Sequence, residues 1–262
     1  MTTEQFLRAS EIIESQESNP LPAERQTALL EDQSVFWDVF YRNHEQKFFK
    51  DRKWLEIEFR KELVDFDEEM EYSILEVGCG VGNTVFPLLE KNKTKEKFFV
   101  HACDFSETAI AVLKSNPEYN NKCNAFVHDI TKEFPLKHSS VDVITMIFVL
   151  SAIHPTLHRQ CLENAFKILK PGGLLLFRDY GKMDLVQLRF KKSNLEPGLY
   201  ARGDDTLVYF FELNETAELM KSVGFEVEQN VNDKRLLVNR KLKLEMHRIW
   251  IQGKYRKPLD AK

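Results

Sequence analysis

The stretch from Leu75 to Asn83 constrains this chain more than any other. An apolar run, Ser73–Val77, enters three alternating glycines, Gly78, Gly80 and Gly82, and a helical pattern follows at once over Asn83–Glu90. A strand that turns on glycines into a helix is the opening unit of a parallel α/β sheet. The units that follow keep the same rhythm. Strands are expected at Phe98–Asp104, Ala125–Asp129, Val141–Leu150 and Leu174–Asp179, with helices at Glu107–Lys114 and Thr156–Leu169 between them. Lys170-Pro171-Gly172-Gly173 reads as a turn ending the last of these helices. A further helix is expected at Glu215–Val223, then strands at Glu226–Val231 and Lys241–Ile251, with a bulge between Met246 and Ile249 where the apolar parity shifts. The fold class is therefore α/β and doubly wound, with a mostly parallel sheet.

The spacing of the turn limits its ligand. A dinucleotide site reads G-x-G-x-x-G, whereas here the pattern is G-x-G-x-G, and no Lys-Ser/Thr follows as in a P-loop. Phosphate cradles hold negative charge, yet Glu76 precedes this turn and no basic residue follows until Lys91. A ligand with an ammonium and a sulfonium suits it, and S-adenosylmethionine is such a ligand. Asp104, 22 residues beyond Gly82, stands where a strand-end acid accepts ribose hydroxyls. Asp129 is placed to take the adenine amino group and Ile130 to pack on the ring, while the methionyl arm is expected over Ile147-Phe148-Val149-Leu150. Each piece has a plainer reading: the turn as a tight strand–helix connection, Asp104 as a helix cap, Asp129 as a turn cap.

The chain has 262 residues, 43% hydrophobic and 30% charged, which suits one domain with extensions. Segment 1–33 reads as a polar tail or peripheral helix, 34–70 as an aromatic and basic extension, and 71–262 as the main domain with an insertion at 182–207. No apolar run approaches the ~18–20 residues of a membrane span, and no signal pattern opens the chain. The cysteines at 79, 103, 123 and 161 form no framework, so a reducing compartment is expected: the cytoplasm, or also the nucleus. The net charge of −4 hides an asymmetry. Residues 1–35 carry two basic side chains against seven acidic, and residues 234–262 carry ten against two. A local basic surface is what a polyanion needs, although a solvated terminal face explains it equally.

Several longer strings carry a family resemblance. They are Trp37-Asp38-Val39-Phe40-Tyr41, Lys47-Phe48-Phe49-Lys50-Asp51-Arg52-Lys53-Trp54, the glycine turn, Ser151-Ala152-Ile153-His154-Pro155, Phe177-Arg178-Asp179-Tyr180-Gly181 and Tyr200-Ala201-Arg202-Gly203-Asp204-Asp205-Thr206. With these the chain resembles the class I methyltransferases, and more narrowly the tRNA 3-methylcytidine methyltransferases of the methyltransferase-like group, from about Phe36 onward. That family reads Asp-Gly-Thr where this chain has Asp204-Asp205-Thr206. The resemblance implies a seven-stranded sheet with its last strand antiparallel, with Trp37 and Tyr41 folded over the cofactor. It also implies formation of 3-methylcytidine at position 32 of the anticodon loop in a subset of tRNAs, with an aminoacyl-tRNA synthetase of seryl type as a candidate partner. Read alone, Trp37 and Tyr41 at i, i+4 are as well explained as a helix face packed on the core.

The chemistry fits that expectation. Cytosine N3 carries a lone pair at neutral pH and needs no strong base. Asp179 is the candidate for stabilising positive charge on the base, beside Arg178, unless the two merely pair with each other. A flipped base and its phosphates call for aromatics and cations. Candidates fall in three clusters: Lys47, Phe49, Lys50, Arg52 and Lys53; Arg189 and Arg202; Arg240, Lys241 and Arg248. His154 and His158 are spaced i, i+4 but lack a third ligand, so no metal is expected. The rival readings are a small-molecule methyltransferase and a non-catalytic RNA-binding adaptor.

Overall fold

A computed structural model describes residues 2–31, 33–44, 50–239 and 244–260. Its central sheet is built from β1 (Tyr72–Val77), β2 (Phe98–Asp104), β3 (Cys123–Val127), β4 (Val141–Ile147) and β5 (Leu169–Tyr180), all parallel. Three short strands, β6 (Asn194–Glu196), β7 (Leu199–Ala201) and β8 (Leu207–Tyr209), form a separate antiparallel sheet. The chain then returns to the main sheet with β9 (Glu226–Asn239) and β10 (Leu244–Arg256), and the order is β3-β2-β1-β4-β5-β10-β9. β10 runs antiparallel to both its neighbours, as the resemblance implies for the last strand.

Alternation along the strands fills two layers. Ile74, Val143 and Leu176 face helices α6 (Val85–Lys91) and α7 (Glu107–Ser115), through Val85, Leu88, Ile110 and Leu113. Leu75, Val77, Met146 and Phe177 face the opposite layer, with Cys161, Leu162 and Ala165 of α8 (Pro155–Ile168) and Met220 of α10 (Leu213–Val223). Strands buried on both faces read as continuous apolar runs, so their positions were visible in the sequence. Their ends were less so. β3 stops at Val127, before Asp129. β4 stops at Ile147, because Phe148 takes a left-handed φ of 59° and Leu150–Ala152 form a 3₁₀ turn. β5 begins at Leu169 and takes in Lys170–Gly173, where a register shift opposite Val141–Val143 absorbs Gly172 at φ 80°. The bulge in the last hairpin lies at Lys254/Tyr255, not between Met246 and Ile249, and both strands are longer than the apolar pattern indicated.

The N-terminal segment forms α1 (Thr3–Glu17), α2 (Ala23–Glu31) and α3 (Gln33–His44); two short turns, α4 (Leu55–Glu58) and α5 (Arg60–Leu63), precede β1. Of the two readings of this segment, tail or peripheral helix, residues 2–31 and Gln33 follow the helical one: they dock on the 182–207 insertion and the strand it leads into, which together carry α9 (Leu185–Arg189) and β6–β8. Gln16, buried, donates to the carbonyls of Phe190 (2.7 Å) and Gln187 (3.1 Å) and accepts from the Tyr200 hydroxyl (3.0 Å). Arg25 pairs with Asp205, and the side chain of Gln33 bonds the backbone of Asp205 and Leu207. A buried side chain that satisfies three partners fixes one docking geometry.

Candidate active site

A cavity of about 480 Å³ opens at the carboxyl ends of β1–β4, where open α/β sheets hold ligands. Its floor is Gly78, Phe148 and Val149; Asp104, Asp129 and Ile130 line one side; Trp37 and Tyr41 of α3 line the cover. The glycine turn is demanded by close approach. A Cβ on Gly78 would lie 2.4 Å from Cγ2 of Val149, and one on Gly80 would lie 2.8 Å from the Tyr41 hydroxyl. Both glycines also hold positive φ, 63° and 52°.

Asp104 accepts from the amides of Gly80 (2.8 Å) and Ser106 (2.9 Å). Burial pushes its carboxyl up while those amides pull it down. Asp129 accepts from the amide and hydroxyl of Thr131 (2.9 and 2.7 Å). Each acid thus makes the capping bonds of the plainer reading and still lines the cavity, with lone pairs left for a ligand. A cradle closed to any side chain at Gly78, with two carboxylates along one wall, fits an adenosine bearing a positively charged 5′ arm.

α3 is held over the cavity by a residue whose role was not visible in the sequence. Asp38 accepts from the Ser106 hydroxyl and the Thr108 amide (3.2 Å), at the start of α7. Ser106 also caps α7 through Ala109 and donates its amide to Asp104. α3 and Asp104 are thereby joined through one serine. Leu30 and Leu207, from α2 and β8, also reach the cavity; no local pattern marks them, because their approach depends on the N-terminal docking.

Three expected residues sit elsewhere. Ile147 is fully buried in the layer with Val143 and does not line the cavity; strand parity turns it away, and Phe148 and Val149 form the shelf. Arg178 and Asp179 do not pair with each other, since successive strand residues point to opposite faces. The Arg178 guanidinium lies 4.5 Å from the ring centres of both Trp54 and Trp250 and pairs with Asp233. Asp179 is fully buried and accepts from the amides of Ser151 and Tyr180 (2.9 Å each). Burial raises its pKa to about 6. It stands behind the 3₁₀ turn and is not part of the cavity wall.

Glu76 is also fully buried, and burial raises its pKa to about 7. It accepts from Thr145 and pairs with Arg52 at 3.3 Å. One terminal nitrogen of Arg52 is thus turned to the buried acid, and only 17% of the side chain is exposed. Arg248 is similarly engaged, by buried Asp184 at 2.8 Å, and Arg202 donates to the Leu207 carbonyl at 2.7 Å. Lys50, Lys53 and Arg189 are exposed. Lys47, Phe49, Arg240 and Lys241 lie outside the described residues. His158 is buried and bonds the Ile153 carbonyl (2.9 Å), while His154 bonds Thr156 (2.8 Å). Among the described residues no group of three His, Cys, Asp or Glu side chains is placed to hold a metal.

Sheet order, glycine turn and strand-end acids together define a class I methyltransferase. A family model described as a methyltransferase domain matches residues 75–175. Solved structures share the fold. A SAM-dependent methyltransferase from Methanosarcina mazei aligns at TM-score 0.57 and 18% identity, over 73% of this chain and 95% of that one. A 1,6-didemethyltoxoflavin-N1-methyltransferase from Burkholderia thailandensis, solved with S-adenosylhomocysteine, aligns at 0.59 and 18% over 91% and 92%. Closer in sequence are a tRNA N(3)-cytidine methyltransferase of Danio rerio, 45% identical over 92% of this chain and 78% of its own length, and a tRNA N(3)-methylcytidine methyltransferase of Schizosaccharomyces pombe, 42% identical over 97% and 83%. A tRNA(Thr) (cytosine(32)-N(3))-methyltransferase of Saccharomyces cerevisiae is 41% identical over 97% of this chain and 42% of its own length. The chain belongs to the family of tRNA N(3)-cytidine methyltransferases.

Proposed function

We propose that this protein transfers the methyl group of S-adenosylmethionine to N3 of a cytidine in tRNA, at position 32 of the anticodon loop. Family membership supports the reaction, and the name of the Saccharomyces cerevisiae relative supports the position. The observation that carries the reading is the aromatic corner at the cavity floor. Phe148 lines the cavity, and its ring lies 5.0 Å from Tyr180 and 6.3 Å from Trp250. A non-glycine residue at positive φ costs free energy and is kept where its placement matters. An unpaired cytosine stacked there meets the cavity with N3 exposed.

The cofactor supplies an electrophilic methyl on a sulfonium. The chain's own part is to hold and orient. Asp104 takes the ribose, Asp129 the adenine edge with Ile130 against the ring, and Trp37 and Tyr41 exclude water from above. Asp179, behind the turn at Leu150–Ala152, contributes negative potential as the base becomes cationic. Lys50, Lys53 and Arg189 neutralise phosphates. Because Arg52, Arg202 and Arg248 are engaged within the fold, a seryl-type synthetase as recognition partner is part of the proposal, and the four buried free cysteines support a cytoplasmic or nuclear setting.

The test is to incubate the pure protein with labelled cofactor and total tRNA, then digest the RNA and identify the labelled nucleoside. 3-Methylcytidine is the expected product, with or without added synthetase. Label in small molecules alone would favour the small-molecule reading; RNA binding without label would favour the adaptor.

A further inference from the structure

The geometry points to Arg52 as the residue that receives the carboxylate of the cofactor's methionyl arm, with Glu76 as the residue that positions it. The acid before the glycine turn suits a ligand that carries an ammonium and a sulfonium. Neither member of the Glu76–Arg52 pair is part of the cavity wall as it stands, and Glu76 has no exposed side-chain surface, so the acid is not placed for direct contact. Its oxygens are engaged by Thr145 and by Arg52. The exposed member of the pair is Arg52, at 17% of its side chain.

Arg52 is fixed to the turn from two sides. Its amide donates to the Asn83 carbonyl (2.8 Å), and one terminal nitrogen reaches Glu76 (3.3 Å) and Thr84 (3.5 Å). That accounts for one nitrogen of three. Nε and the second terminal nitrogen have no hydrogen bond to the described residues, and a guanidinium presents five N–H donors in a planar fork suited to a carboxylate. Its charge also acts on the Tyr41 hydroxyl, whose oxygen covers Gly80.

The order of the acids fixes which end of the ligand arrives here. With adenine at the end of β3 and ribose at the end of β2, the 5′ arm points towards β1, one strand further along. There the chain offers the glycine turn and, bound to it, Arg52. A buried acid paired with a partly exposed arginine holds that cation in place without neutralising it towards solvent.

The test separates the two ends of the ligand by calorimetry. S-adenosylhomocysteine carries the amino-acid end; 5′-methylthioadenosine keeps adenine, ribose and thioether but lacks it. Arg52→Gln should weaken S-adenosylhomocysteine by about ten- to a hundredfold and leave 5′-methylthioadenosine within about twofold. Arg52→Lys keeps the charge without the fork and should fall between. Glu76→Gln should show the same selectivity in weaker form. Equal loss for both ligands, or no loss for either, overturns the assignment. So does a variant that binds both normally but loses tRNA affinity, because Arg52 would then be a phosphate ligand. Thermal melts identify any variant that fails to fold, and Arg52→Lys keeps the test decisive in that case.

Discussion

Asp205 holds a backbone φ of 65°, in the left-handed region where glycine is favoured. The family's Asp-Gly-Thr has glycine at that position, so the conformation accounts for the residue type found there. Aspartate tolerates it better than most side chains, and here it also pairs with Arg25 across the docked N-terminus. Asp205→Ala should destabilise the fold by about 1 kcal/mol more than Asp205→Gly, a difference readable in denaturant midpoints. Equal effects would mean that the backbone carries no strain. His158 permits a sharper test. Packed against Tyr209 and Phe211, it is held neutral by burial, with its pKa lowered to about 4. Between its unfolded value near 6.5 and about 4, the unfolded chain binds a proton that the folded protein refuses, so its contribution is full above that window and falls with pH by up to about 3 kcal/mol. Glu76 and Asp179 act in the opposite sense: raised to about 7 and 6, they relieve a cost as pH falls through those values. His158→Gln should therefore lose stability against the wild type near neutral pH and recover relative to it towards about pH 4.5. Parallel melting curves across that range would refute this account.

At the scale of elements, α3 carries the largest share of the site that the sequence left open. Its Trp37 and Tyr41 were as compatible with core packing as with a cofactor cover, because spacing alone does not say what a helix face meets. Asp38 fastens α3 to the start of α7, and Trp37 and Tyr41 both pack on Val81 and Ala109 and line the cavity. If α3 is a cover, Trp37→Ala should weaken S-adenosylhomocysteine and leave the melting temperature nearly unchanged. Asp38→Ala should weaken it through looser docking, and Asp104→Ala should cost about 1.5–3 kcal/mol of binding through the missing ribose bonds. A Trp37→Ala variant that loses stability but keeps full affinity would return α3 to the core. The strands and the acids at their ends were legible because each is a local pattern: an apolar run, a glycine turn, an aspartate where the run stops. The end of β4 was not legible because a left-handed residue other than glycine, Phe148, stops the strand without any turn signal, and strand parity turns Ile147 into the layer with Val143. Arg52 and Arg248 were read as surface cations because the sequence does not reveal that Glu76 and Asp184 are buried beside them.

Across the whole molecule, the cations divide into those that hold the fold and those that face solvent. Arg248 is the counter-charge of buried Asp184, so Arg248→Ala should cost roughly 3–5 kcal/mol of stability by leaving that acid unpaired. Lys50, Lys53 and Arg189 are exposed and form no ion pair among the described residues. Replacing all three with Gln should leave the melting temperature and S-adenosylhomocysteine affinity unchanged. tRNA binding should weaken, and its log–log salt dependence should become shallower by roughly 0.7–0.9 for every phosphate that is no longer neutralised. An unchanged slope would remove these three from the RNA surface.

The placement of β10 between β5 and β9 also sets a timetable for synthesis. β9 leaves the ribosome first, yet its partner in the sheet is β10, made after it, so it cannot join by adding to β5. Until β10 arrives, β5 presents a bare edge of unpaired amides and carbonyls, the feature that invites association with other chains. When β10 docks, a single event pairs β5, recruits β9 and brings Trp250 onto Arg178. β10 thus closes both the sheet and the aromatic corner beside the cavity. A nascent chain halted before Leu244 should remain protease-sensitive beyond β5, however long it is left to fold.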